Sequence, residues 1–120
     1  MFADPATINI SGVPFPLVRI NQDKYSSEYL LRQSTQEFRL SIRNSSYLDK
    51  KRGVTIDRHN VELIQTVFPV APSTLSIVRK TYAVIENQKG DTLEAPRNIA
   101  AALFDFCSDA NIDKLMNYES

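Results

Sequence analysis

The chain of 120 residues has one cysteine, one histidine, three glycines and no formal net charge. Each scarcity removes a class of function. The lone Cys107 cannot form an internal disulfide, and no His and Cys spacing matches a metal site, so a reducing compartment and no metal or other cofactor are expected. No glycine-rich stretch is present to cradle a phosphate. Fourteen Lys and Arg balance fourteen Asp and Glu, so any affinity for nucleic acid has to come from a local patch. The longest apolar run, Ile99 to Phe104, is far too short to cross a bilayer. Met1-Phe2-Ala3-Asp4-Pro5 has neither a basic n-region nor an apolar h-region, so synthesis in the cytoplasm and no membrane partner are expected.

What is present is strand-like alternation, clearest in Phe38-Arg39-Leu40-Ser41-Ile42-Arg43. Successive side chains of a strand point to opposite faces, so Phe38, Leu40 and Ile42 share one side and Arg39, Ser41 and Arg43 the other. The first side calls for a core. The second suits an RNA backbone, because guanidinium groups match phosphate oxygens and a hydroxyl adds a donor; an ordinary solvated face fits the same pattern.

Length and pattern give one α+β domain, 1–120. Residues 1–22 read as a hairpin, with Thr7 to Ile10 and Phe15 to Ile20 flanking Ser11-Gly12-Val13-Pro14. Residues 24–88 read as an antiparallel meander with strands near Glu28 to Arg32, Glu37 to Ser45, Val54 to Phe68 and Leu75 to Glu86. A change of phase near His59 to Val61 suggests a bulge. From 91 to 120 the period switches to 3.6. The Asp91 and Glu94 spacing, with Pro96 in the first turn, predicts a helix from Asp91 or Thr92 to about Ser108. Its apolar arc includes Leu93, Ile99, Leu103, Phe104, Phe106 and Cys107. Asp109-Ala110-Asn111 allows a break before a short second helix carrying Ile112, Leu115, Met116 and Tyr118.

A wide apolar sheet face with only two terminal helices to cover it would leave grease and a strand edge exposed in a monomer. Joining two sheets edge to edge, with each subunit's helices over its partner's strands, removes both exposures in one symmetric contact. The expectation is an intertwined homodimer. Two rows of Arg39, Ser41 and Arg43 would then merge into one surface, where Tyr82 beside Lys80 offers a ring for an unpaired base.

In this order of elements, Glu37 through Ser46, Arg79-Lys80-Thr81-Tyr82-Ala83, and Asp91 through Leu103 to Ile112-Asp113-Lys114-Leu115 resemble the coat proteins of small single-stranded RNA bacteriophages, the levivirus type. The resemblance covers nearly the whole chain. It implies an N-terminal hairpin, a five-stranded antiparallel sheet and two C-terminal helices interlocked in a dimer. It also implies quasi-equivalent assembly into an icosahedral (T=3) shell in the virion, made in the bacterial host around the genomic RNA. A stem-loop bound on the inner face would repress replicase translation.

The positions similar to that family's RNA face are Arg39, Ser41, Arg43, Thr55, Lys80 and Tyr82, with Arg52 beside them. Asp57 falls where relatives have a cation, and Val84 where some have a polar base reader. Arg39 can meet RNA or pair with Glu37 or Asp57. Val70, Ala71, Pro72, Ser73 and Thr74 are similar in place to the loop that meets its copies at symmetry axes, where Pro72 either restricts loop shape or is a plain turn proline.

Catalysis is not expected. Asp57 and His59 share a strand face, but no nucleophile with a partner accompanies them. Cys107 reads as a small hydrophobe on the helix arc. Lys50-Lys51-Arg52 reads as a soluble turn that an enclosed RNA could touch. The rival to a shell protein is a dimeric β-sheet module that binds RNA or a ligand without building a shell.

Overall fold

In the computed structural model, which describes residues 1–120, six strands precede two helices: β1 (Ala6–Ile10), β2 (Val13–Gln22), β3 (Ser26–Arg32), β4 (Gln36–Asp49), β5 (Val54–Val67), β6 (Ile77–Gln88), α1 (Glu94–Phe106) and α2 (Asp109–Met116). The strands are antiparallel and lie in sequence order, so every connection joins neighbours. Such a meander needs only short turns.

β2 belongs to two pairings. Its first half, Val13 to Leu17, pairs with β1, and from Val18 it pairs with β3 across a register shift between Arg19 and Asn21. The hairpin and the five-stranded sheet of the sequence reading therefore share a strand. The sheet proper is β2 to β6, so its first strand lies within residues 1–22.

β4 pairs with β5 without interruption from Gln36↔Val67 to Asp49↔Val54, and β5 with β6 from Ile56↔Gln88 to Val67↔Ile77. The expected bulge at His59 to Val61 is absent. The chain's register irregularity lies in β2, where the strand bends to carry the hairpin back over the sheet. There Phe15 reaches Phe38, two strands away in the sheet order, with ring centroids 5.2 Å apart.

That return makes the core. Leu17, Tyr29, Phe38 and Ile42 are buried together, with Ala6, Ile8, Phe15, Leu31 and Leu40 packed against them. Arg19 closes one end: its guanidinium donates to the Tyr29 hydroxyl (2.9 Å) and to the Phe2 carbonyl (2.6 Å), while its backbone N–H donates to Asp4 (3.1 Å). In the β2–β3 turn Asp23 accepts from the Tyr25 and Ser26 N–H groups. Hydrogen bonds from the Ser26 hydroxyl first, then from those backbone groups, hold its carboxyl below the usual carboxylate range.

Little else is covered. Six residues of 120 are buried, and none of them is in a helix. The chain exposes 9404 Å², whereas a compact chain of this mass exposes about 6,600 Å². Its radius of gyration is 17.3 Å against the about 13 to 14 Å of a compact domain of this length. On the hairpin side, Val61, Leu63, Ala83 and Ile85 share a face and are at most half-buried. α1 does not roof them; it lies alongside β6, with an apolar groove of about 780 Å³ between Thr81–Asn87 and the side of the helix bearing Ile99, Leu103 and Phe104.

α1 starts three residues later than its Asp91 signal. Thr92 supplies the cap instead, its hydroxyl accepting from the Ala95 N–H at 3.3 Å, and Pro96 falls in the first turn. α2 starts earlier than expected. Ser108 caps it by accepting from the Asn111 N–H (3.4 Å), so Asp109-Ala110-Asn111 forms its first turn and the break falls at Cys107 and Ser108.

Candidate nucleic-acid interface

The unbroken register assigns every side chain of β3 to β6 to a face, because directly paired residues point the same way. Opposite the hairpin, successive cross-strand rows read Leu30–Arg39–Ile64–Lys80, then Glu28–Ser41–Glu62–Tyr82, then Ser26–Arg43–Asn60–Val84, then Ser45–Arg58–Glu86. Arg39, Ser41, Arg43, Lys80 and Tyr82 therefore share one surface, as the sequence predicts.

Thr55 does not join them. It pairs with Leu48 and Asp57 pairs with Ser46, so both point to the hairpin side. Arg58 and Asn60 hold the positions on β5 that face Ser45 and Arg43. The acid expected to repel phosphate is thus off this surface, and a cation stands on it. Arg52 lies in the β4–β5 turn, beyond the last paired residues Asp49 and Val54, and lines a shallow hollow with Tyr47, Asp49 and Glu86.

Of the carboxylates on this face, sequence reasoning named Glu37 and missed Glu28, Asp49, Glu62 and Glu86. Its cations Arg32, Arg39, Arg43, Arg58 and Lys80 stand among Glu28, Glu37, Asp49, Glu62 and Glu86. Arg32 pairs with Glu37 at 2.7 Å, Arg58 with Glu86 at 3.5 Å, Lys80 with Glu62 at 3.8 Å and Arg39 with Glu28 at 4.0 Å. Arg39 thus pairs with an acid on β3, neither of the two expected. Arg43 is the one cation of the row without a carboxylate in reach, and it is exposed. Counting by twos along β5 from Asn60 would have revealed Glu62 and Arg58.

The remaining groups are hydrogen-bonding and aromatic. Tyr82 is 62 % exposed, with the Lys80 ammonium 5.9 Å from its ring centre. Tyr47 donates its hydroxyl to Glu86 at 3.0 Å; that bond first, then desolvation and the Glu86 charge, raises its pKa above the ordinary phenol value. Ser41 is buried between Glu28 and Glu62. Such a surface offers a ring to stack on, one free guanidinium and alternating donors and acceptors. It is suited to reading base edges more than to gripping phosphates.

The other expected sites are equally placed. Val70 to Thr74 are exposed in the β5–β6 connection, where a turn is closed by the Ser73 N–H on the Val70 carbonyl (2.8 Å). Leu93, Ile99, Leu103, Phe104 and Phe106 are 90, 75, 59, 51 and 64 % exposed. His59 and Asp57 do share a face, as expected, but Nδ1 of His59 is 2.7 Å from the Asn44 amide oxygen. Cys107 is exposed along with the rest of the helix arc.

Against known proteins, residues 3–88 match the model of the family described as phage phiCb5, coat protein. Among solved structures the fold is similar to that of the virus-like particle of Beihai levi-like virus 21, with a TM-score of 0.67 and 14 % identity over all of this chain and 98 % of that one. No curated protein matches.

Proposed function

Because this chain belongs to the phage phiCb5 coat protein family, we propose that it pairs with a second copy through its open sheet edge and helices, and that the dimers build an icosahedral virion shell around single-stranded RNA. The observation that carries this reading is the surface left uncovered. About 2,800 Å² beyond the compact expectation is the scale of an obligate interface. The exposed groups are those a twin would cover: the outer edge of β6, the half-covered Val61, Leu63, Ala83 and Ile85, and the arc of α1.

A second copy related by a two-fold axis supplies the missing cover symmetrically. β6 pairs with its twin's β6, and each α1 crosses onto the partner's sheet. The two polar faces then run on as one floor turned toward the RNA, and the β5–β6 loops at Val70 to Thr74 reach neighbouring dimers. The similar solved structure comes from a virus-like particle, which supports assembly. An RNA stem-loop held on the floor, and through it repression of replicase translation, is the finer part of the proposal. Tyr82, Arg43 and the hydrogen-bonding row support it.

Electron microscopy and sedimentation of the full chain expressed alone test the shell. Uniform closed particles are expected. A dimer that stays free at every protein and salt concentration would replace the shell with a non-capsid RNA- or ligand-binding module.

A further inference from the structure

On the candidate RNA face a crevice of about 20 Å³ lies between Ser41, Arg43, Asn60 and Glu62, room for about one polar group. One atom in it is unaccounted for. The Oδ1 of Asn60 is buried and accepts no hydrogen bond, a state that costs free energy unless a donor arrives. Beside it Glu62, the neighbour of Tyr82 across the β5–β6 ladder, has only the ammonium of Lys80, at 3.8 Å. The crevice therefore holds one acceptor without a partner, the Asn60 amide oxygen, beside a carboxylate with a single ionic partner.

We propose that Glu62 and Asn60, with Tyr82 as the stacking platform, form a subsite for an unpaired guanine. This rests on the reading of the face as an RNA lining and adds the identity of the base. Adjacent strands are about 4.8 Å apart, so a base stacked on Tyr82 presents its edge to Glu62 and the Asn60 row. Guanine alone among the four bases offers two adjacent donors, N1–H and the N2 amino group. A carboxylate accepts both side by side, and the second amino hydrogen is left for the Asn60 amide oxygen once that side chain turns outward. Adenine would set its N1 lone pair against the carboxylate. Cytosine offers its amino group beside the N3 acceptor, and uracil a single N–H between two carbonyls. Arg43, free of any carboxylate and exposed, is the donor available to O6. Occupation of Glu62 by guanine releases Lys80 to a phosphate, so the ion pair of the free protein is exchanged for two contacts to RNA.

The test uses the full-length protein and five RNA hairpins of one stem with the loop U-U-X-U, where X is G, A, C, U or inosine, read by fluorescence anisotropy at low salt. The G hairpin should bind about tenfold or more tightly than the A, C and U hairpins. Inosine, which lacks the N2 amino group, should lose several-fold on the unaltered protein, whatever the folding of any variant. Glu62→Gln should bring G and A within about threefold of each other. Equal binding of all hairpins, or a preference for A, overturns the guanine assignment and leaves the RNA face standing. Absence of binding to every hairpin overturns both.

Discussion

Arg39 and Arg43 sit four residues apart on one face of β4 and differ in what stands beside them. Glu28 is 4.0 Å from Arg39, and no carboxylate oxygen lies within 4.0 Å of Arg43. A guanidinium already facing a carboxylate gains less from a phosphate, because the first partner must be given up or shared. Arg43→Ala should therefore weaken RNA binding about tenfold, and Arg39→Ala less than about threefold. Glu28→Gln should strengthen it, since it frees Arg39 and removes a repelling charge. Titration of the three variants against one RNA checks the order, and equal losses for the two arginines would show that the ion pairs do not matter. The alternation of Phe38 to Arg43 made the arginines legible. The acid beside Arg39 was not, because Glu28 comes from another strand.

At the scale of the element, β5 and α1 teach different things. In β5 a bulge was read at His59 to Val61 from a change in the apolar pattern, but both faces of the strand carry apolar groups: Ile56 and Ile64 on one, Val61 and Leu63 on the other. The pattern reflects mixed faces on an unbroken ladder. In α1 the sequence located the helix within a few residues, and its apolar arc faces β6 across an open groove in which no helix residue is buried. Removing both helices by truncation after Lys89 should abolish soluble dimer, since the sheet loses its proposed cover and presents a large apolar patch. Leu103→Asp should act in the same direction more mildly, lowering the dimer fraction at micromolar concentration. Sedimentation velocity measures both, and a soluble folded product from the truncation would contradict the packing.

On the scale of the whole molecule, charge and surface set the behaviour. The polar face holds as many carboxylates as cations among its paired strands, and the chain has no formal net charge. Binding to RNA should then be only modestly salt-dependent. With one cation per chain left for phosphate, a dimer neutralises about two phosphates, and log K against log salt should slope at about −2. If all five cations of each face met phosphate, the slope would approach about −9. Measuring affinity across a tenfold range of salt separates the two. The slope also distinguishes base reading from packaging by charge, which the acids of this face oppose.

Local sequence was enough for the strands, the two helices and the sidedness of β4, because alternation and capping act over a few residues. Tertiary structure decided which residues meet across the sheet. It moved Thr55 and Asp57 off the candidate interface, brought Arg58 and Asn60 onto it, and gave four of its five cations an acid. The reason is register. A strand's own pattern fixes its two faces, but only pairing with its neighbours fixes which residues of other strands share them, and one step of shift exchanges the two sets entirely.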